Sequence, residues 1–181
     1  MIYVFLSDGF EEIEAVSTID LLRRCDLNVK TVGISSNKLI GAHQIEIIAD
    51  ILDKDLKLDN SLEAIVLPGG MPGALNLEKS SVVQDSIRFA SEHNKIIAAI
   101  CAAPSILGHC GLLNGIKATC FPGFEKQLYG AKLSNALVCV DKNFITAKGP
   151  GATIDFALKI AEKVLGTSIK PNEISSTLQR N

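Results

Sequence analysis

Residues 95–110 read KIIAAICAAPSILGHC. Ile96 to Ile100 is a short apolar run, the length and character of a strand buried on both faces, and from Pro104 the pattern turns helical. Between them stand Cys101, Ala102 and Ala103. A strand that passes into a helix through a tight turn holds the corner residue up and exposed, as the G-x-S-x-G elbow presents a nucleophilic serine. Such a corner is crowded and needs small neighbours, here Ala99 and Ala103. Pro104 suits the first helical turn. The N–H groups opening that helix favour an anion and are expected to lower the pKa of the thiol. Free cysteines are most often inert core residues; a thiol at an elbow is expected to be a nucleophile.

Outward from this corner, apolar runs alternate with helix-period segments. Strands are expected at Ile2–Leu6, Val29–Ile34, Ala64–Leu67 and Lys117–Cys120, with a short or edge piece at Ile45–Ile48. Ala136–Val140 and Phe144–Ala147 flank Asp141-Lys142-Asn143, a hairpin signal. Helices are expected at Glu11–Arg24 (apolar face Ile13, Val16, Ile19, Leu22), Ser81–His93 (Val82, Ile87, Phe89), Pro104–Cys110 and Thr153–Leu165, the last ended by Gly166. From Lys170 the chain is polar and reads as a loosely held tail. Strands buried on both faces with helices between them mean an α/β fold, a mostly parallel sheet in a three-layer sandwich. With no repeat, linker or low-complexity stretch, the 181 residues read as one domain, 1–181.

Composition removes several classes of function. The chain is 47% hydrophobic and 21% charged with formal net charge -2, and it carries no basic run or aromatic-basic patch, so nucleic acid is not an expected partner. No apolar run approaches the roughly 18 residues of a membrane span, and the amino terminus lacks a signal-peptide pattern, so a cytoplasmic location is expected. Cysteines 25, 101, 110, 120 and 139 are odd in number and without CxxC spacing, which argues against a disulfide framework and a structural zinc site. Neither GxxxxGK[ST] nor GxGxxG is present, so no nucleotide cofactor is expected.

Open α/β sheets place their sites at the carboxyl ends of strands. Three such ends carry chemistry: SDGFEEIEA (7–15), LPGGMPGA (67–74) and AICAAPS (99–105). Acidic residues in a first helical turn complement the helix dipole, which accounts for Glu11 and Glu12. Glu14 lies among Ile13, Ala15 and Val16; turned inward it would be desolvated, its pKa raised, and it could share a proton with a nearby thiol. Gly69 and Gly70 form either a simple tight turn or a close backbone approach that supplies an oxyanion hole. None of His43, His93 and His109 is placed as a base for Cys101.

Taken together and in this order, GFEEIEA, VLPGGMPGA, AAICAAPS and AKGPGATIDFAL resemble the ThiJ/PfpI superfamily, and within it the branch of the Parkinsonism-associated protein deglycase and its bacterial relatives. The similarity covers nearly the whole chain. It implies a flavodoxin-like sandwich with a cysteine at the nucleophile elbow, and a homodimer. It implies that Cys101 is the reactive, oxidation-prone cysteine and Glu14 the protonated glutamate that hydrogen-bonds it. Gly69 and Gly70 match glycines whose amides face the oxyanion, with the Ala102 N–H as a further donor. Arg24 corresponds to a basic residue near a dimer-interface anion site, and His43 falls where the branch can have an arginine reaching across from the other subunit. Two positions depart from the pattern. Ala102 stands where peptidase-like members have histidine, so the protease reading is rejected. Phe121, before Pro122 and beside Cys120, stands where the deglycase branch often has histidine.

The resemblance thus implies a cofactor-free, cysteine-dependent glyoxalase or deglycase acting on methylglyoxal or glycated adducts, protein-borne ones included, with Cys101 as nucleophile and Glu14 as acid/base. The alternative is a non-enzymatic oxidative-stress sensor or chaperone-like protein working through oxidation of Cys101. An amidotransferase-type elbow would need a downstream histidine and glutamate that GATIDFALKIAEKV lacks.

Overall fold

A computed structural model of the chain describes residues 1–179. In chain order the elements are β1 (Ile2–Leu6), α1 (Glu12–Arg24), β2 (Val29–Gly33), β3 (Lys38–Ile40), β4 (Glu46–Ile48), β5 (Ile51–Leu52), β6 (Ala64–Leu67), α2 (Gly73–Lys79) and α3 (Ser81–Glu92). There follow β7 (Ile96–Ile100), α4 (Pro104–His109), β8 (Lys117–Ala118), β9 (Lys132–Leu133), β10 (Val138–Asp141), β11 (Phe144–Ala147), α5 (Thr153–Leu165) and α6 (Ile169–Thr177). Among the described residues no helix is long and apolar enough to cross a membrane.

Seven strands form one sheet in the order β10-β11-β7-β6-β1-β2-β5. Every pairing is parallel except β10 with β11, the hairpin around Asp141-Lys142-Asn143. The central strands are apolar throughout because both faces are covered, and successive residues face opposite sides. Val4, Leu6, Val66, Ala98 and Ile100 pack with Ala15, Ile19 and Leu22 of α1 and Phe156 and Ile160 of α5. Phe5, Ile65, Leu67, Ile97 and Ala99 pack with Val83, Ile87 and Ala90 of α3 and Ile106 and Leu107 of α4. The result is the expected three-layer α/β sandwich.

Register decides where the site forms. Ile2 pairs with Ala64, and Ala64 with Ile96. Five residues further along each strand this brings Ser7, Gly69 and Cys101 to one level at the carboxyl ends of three adjacent strands.

Three sequence expectations need correction. In α1 the buried residues are Glu12, Glu14, Ala15, Thr18, Ile19, Leu21 and Leu22, while Ile13 and Val16 are 54% and 45% exposed. The helix lies against α5, and its buried residues include the polar Glu12, Glu14 and Thr18. Residues 45–48 supply the expected short strand, β4, which pairs with β3 in a separate two-stranded sheet. Of Lys117–Cys120, only Lys117–Ala118 is strand, paired with β9 outside the main sheet. The supposed loose tail folds as α6 through Thr177, packed on α5. There Pro171 is buried in the first turn, where its missing N–H has no partner to lose, and Lys170 Nζ is 2.8 Å from Asp26 Oδ2. The end of that tail, residues 180–181, lies outside the described residues.

Candidate active site

Cys101 is held at the corner between β7 and α4 with φ +65°, a conformation that costs a non-glycine residue about 1–3 kcal/mol. Two main-chain bonds fix it there. Its N–H donates to the Ala147 carbonyl (2.9 Å), and its carbonyl accepts from the Phe121 N–H (2.8 Å). The strained φ aims the side chain out of the sheet towards α1, where it packs at the edge of the α1/α5 core.

Glu14 meets it from α1 and is fully buried. Glu11 caps this helix, its Oε2 accepting from the Glu14 N–H at 2.7 Å. That capped first turn sets the direction in which Glu14 points. The Gly69 N–H donates to Glu14 Oε2 at 2.8 Å, whereas Oε1 is buried with no settled donor. A Cβ on Gly69 would lie 2.6 Å from Cys101 Cβ and 2.7 Å from Glu14 Oε2, so only glycine lets the two side chains meet over this turn. Gly70 has φ +90°, and a Cβ there would lie 2.4 Å from the Glu11 backbone N. Its lack of a side chain lets its N–H, with that of Ala102, reach the sulfur.

Burial pushes the Glu14 carboxyl up to about 7, the nearby Glu11 charge adding to it while the Gly69 N–H and the Cys101 thiol hold it down. Burial, followed by the charge and hydrogen bond of Glu14, pushes the Cys101 thiol up to about 12 against the Ala102 and Gly70 amides. The expected lowering of the thiol pKa is therefore overturned. Two amides at the head of a six-residue helix are outweighed by desolvation and an adjacent carboxylate. At neutral pH the thiol keeps its proton, and the Glu14 carboxyl, pushed up to about 7, is close to half protonated.

The structure brings Cys101, Glu14, Gly69, Gly70 and Ala102 together, with one change of part. The Gly69 amide, expected to face an oxyanion, is taken up by Glu14, which leaves Gly70 and Ala102 as the donors at the sulfur. Arg24 and His43 do not join the site, nor each other. Arg24 Nε pairs with Asp20 Oδ2 at 2.7 Å in the last turn of α1. His43 Nδ1 pairs with Glu12 Oε2 at 2.8 Å in the first turn. The twelve helical steps from Glu12 to Arg24 span about 18 Å. The His43 pKa is raised by its bond to Glu12, whose own pKa is lowered because the His43 contacts outweigh burial. His93 stacks on Phe89 and His109 pairs with Glu78, so neither serves Cys101.

Among the described residues one three-residue group, Glu11, Glu12 and His43, has metal-ligating atoms within 4.8 Å of one another. These atoms already have work. Both Glu12 oxygens bind His43 and Glu11 caps α1, so the group fastens the β3–β4 hairpin to the helix.

Sequence reasoning named Phe121 without foreseeing its position. It is 43% exposed, and a Cβ on Gly149 would lie 3.1 Å from its ring and 3.9 Å from Glu14 Oε1. Its ring therefore stands one residue's width from the Cys101–Glu14 pair. Cys120 beside it is buried in the opposite core layer, and all five cysteines are free.

The model of the DJ-1/PfpI family matches residues 1–163. Protein DJ-1 homolog B of Arabidopsis thaliana is 38% identical over 167 residues, 91% of this chain, though the chain spans only 38% of that plant protein. The glutathione-independent glyoxalase DJR-1.2 of Caenorhabditis elegans is 33% identical over 174 residues, covering 93% of this chain and 88% of the relative. The solved structure of oxidized Toxoplasma gondii DJ-1 superposes with TM-score 0.92 at 34% identity, over 98% of this chain and 96% of that one. Likeness of sequence along nearly the whole length, and of fold to a solved DJ-1 structure, places this chain in the DJ-1/PfpI family.

Proposed function

We propose that this protein is a cofactor-free glyoxalase that converts 2-oxoaldehydes such as methylglyoxal into 2-hydroxy acids, with Cys101 as nucleophile and Glu14 as the proton carrier. Cys101 Sγ attacks the aldehyde carbon while Glu14 takes the thiol proton. The developing alkoxide is met by the Gly70 and Ala102 N–H groups and takes that proton back, giving a hemithioacetal. Glu14 next removes the proton on the former aldehyde carbon, the hydroxyl proton passes to the neighbouring carbonyl oxygen through an enediol, and Glu14 returns its proton to that carbonyl's carbon. This leaves a lactoyl thioester on Cys101. Water cleaves the thioester to lactate and regenerates the thiol.

The observation that carries this reading is the buried Glu14 carboxyl, clamped by the Gly69 N–H against Cys101 and titrating at about 7. A general base is most effective when its pKa lies near the working pH. The reading needs no histidine and passes no step through Phe121. Glycated amines that carry the same three-carbon unit as a carbinolamine would offer Cys101 the same carbon. The oxidative-sensor alternative draws less support, because peroxide oxidises a thiolate and the resting sulfur is protonated.

We further propose a homodimer built on the outward face of α1. Ile13 and Val16 are exposed beside the β3–β4 hairpin, whose Ile40, Ile45 and Ile48 are exposed as well. A clustered apolar surface of this kind marks a contact face.

The test is lactate formation from methylglyoxal without glutathione, by wild type beside Cys101→Ser and Glu14→Gln. Activity absent in Cys101→Ser and reduced about 10²–10⁴-fold in Glu14→Gln is expected. Wild type that makes no lactate, or variants that match it, would overturn the reading.

A further inference from the structure

Beside the reacting pair lies a hollow of about 230 Å³ whose lining includes Phe121, Pro122, Leu137, Lys148, Gly149 and Pro150. It sits below the roughly 300–1,000 Å³ of most ligand pockets, so it admits a small group and not a peptide. Its walls are two prolines, a leucine, an alanine and one face of an aromatic ring, with Lys148 the one charged contributor. Its position relative to the chemistry is fixed. Phe121 is tied by its N–H to the Cys101 carbonyl, and Lys148 follows β11 directly next to the Cys101 corner, since Ala147 pairs with Ile100. Gly149 separates the Phe121 ring from Glu14 Oε1, and no Cβ intervenes there. The half-exposed Phe121 and Leu137 leave their apolar surface open to a ligand.

We infer that the hollow is the subsite for the apolar substituent of an electrophile reacting at Cys101. Resting on the glyoxalase reading, it makes this a catalyst of aryl and branched-alkyl 2-oxoaldehydes in preference to methylglyoxal. A substituent on the ketone carbon, one bond from the carbon that Sγ attacks, extends past Gly149 onto the Phe121 ring, where a phenyl or isobutyl group loses apolar surface to protein and a methyl group falls short. Phe121 acts here as a specificity residue; it takes no part in proton transfer. The hydrolysed product would be an aryl or branched 2-hydroxy acid.

The experiment compares kcat/KM for phenylglyoxal and methylglyoxal in wild type, Phe121→Ala and Leu137→Glu. Leu137 lines only the hollow and is already 56% exposed, so its substitution leaves the fold and the reacting pair in place. A second readout is independent of turnover: the rate at which Cys101, identified by peptide mass, is alkylated by N-phenylmaleimide relative to N-methylmaleimide, each normalised to free cysteine. Expected is a phenyl preference of about tenfold in both readouts for wild type, lost in Leu137→Glu through a fall in the phenylglyoxal rate, and lost also in Phe121→Ala. Turnover of both substrates with a ratio indifferent to Leu137 and Phe121, and no maleimide preference, overturns the subsite and leaves the glyoxalase standing. Absent turnover with a Leu137-dependent maleimide preference overturns the glyoxalase and keeps the apolar subsite. Absence of both overturns both.

Discussion

At Glu14 one carboxyl links stability to reactivity. In the unfolded chain it releases its proton near 4.5, and in the fold it holds it to about 7. Between those values the folded state binds more protons than the unfolded state, so this residue makes stability fall as pH rises, by about 3 kcal/mol across the window. Below pH 4.5 both states are protonated and the penalty vanishes. Chemical denaturation at pH 4.5 and pH 7.5 is expected to show Glu14→Gln losing this dependence and gaining stability relative to wild type at the higher pH. A variant that tracks wild type at both pH values would place the proton elsewhere. Gly69→Ala tests the same spot by size. Its Cβ would fall 2.6 Å from Cys101 Cβ, so the pair must separate; we expect a loss of about 1–3 kcal/mol in stability together with a collapse of lactate formation. Retained activity in that variant would mean the two side chains need not meet.

At the scale of elements, α1 is a positioning device. Glu11 caps it and, through that cap, sets the first turn from which Glu14 projects. Removing such a cap costs about 1 kcal/mol. Glu11→Ala is therefore expected to melt correspondingly earlier and to titrate Glu14 lower, because a neighbouring negative charge is gone; a Glu14 titration that stays put or rises would argue against this coupling. The helix also shows what the sequence withheld. Its limits were legible from the acidic start and the 3.6-residue period, yet its inward face was not. Counting apolar residues selects Ile13 and Val16, whereas the fold buries Glu14 and Thr18 and leaves those two outside. An inward Glu14 was one reading of its apolar sequence neighbours, but what fixes it there, the Gly69 amide and a thiol from a different strand, lies far along the chain. The corner at Cys101 was legible because small residues and proline mark it locally. The sign of its pKa shift was not, since it depends on Glu14, 87 positions away in the chain. Likewise β5 and β9 are two-residue strands with no period to detect, and α6 owes its order to packing on α5 more than to its own polar sequence.

For the whole molecule, the sheet order places β7, β6 and β1 side by side, and the site is the meeting of their three exits. Chain segments 7–14, 69–70 and 101–102 reach one another only through this topology, which is why motifs far apart in sequence read as one site once the strands are judged adjacent. Outside the site, the exposed Ile13 and Val16 leave an apolar face on α1 that a second copy would cover. Ile13→Glu with Val16→Glu is expected to convert a dimer into a monomer in sedimentation velocity, with the helical circular dichroism signal unchanged. Wild type that sediments as a monomer at micromolar concentration would remove the homodimer proposal.

The most direct test of the Cys101–Glu14 pair is the pH profile of kcat/KM for lactate formation from methylglyoxal, in wild type and in Glu14→Gln. If Glu14 carries the proton, wild type rises through an acid limb centred near pH 7 and Glu14→Gln loses that limb along with most of its activity. A wild-type profile without a limb near 7, or one that Glu14→Gln reproduces, would show that some other group moves the proton.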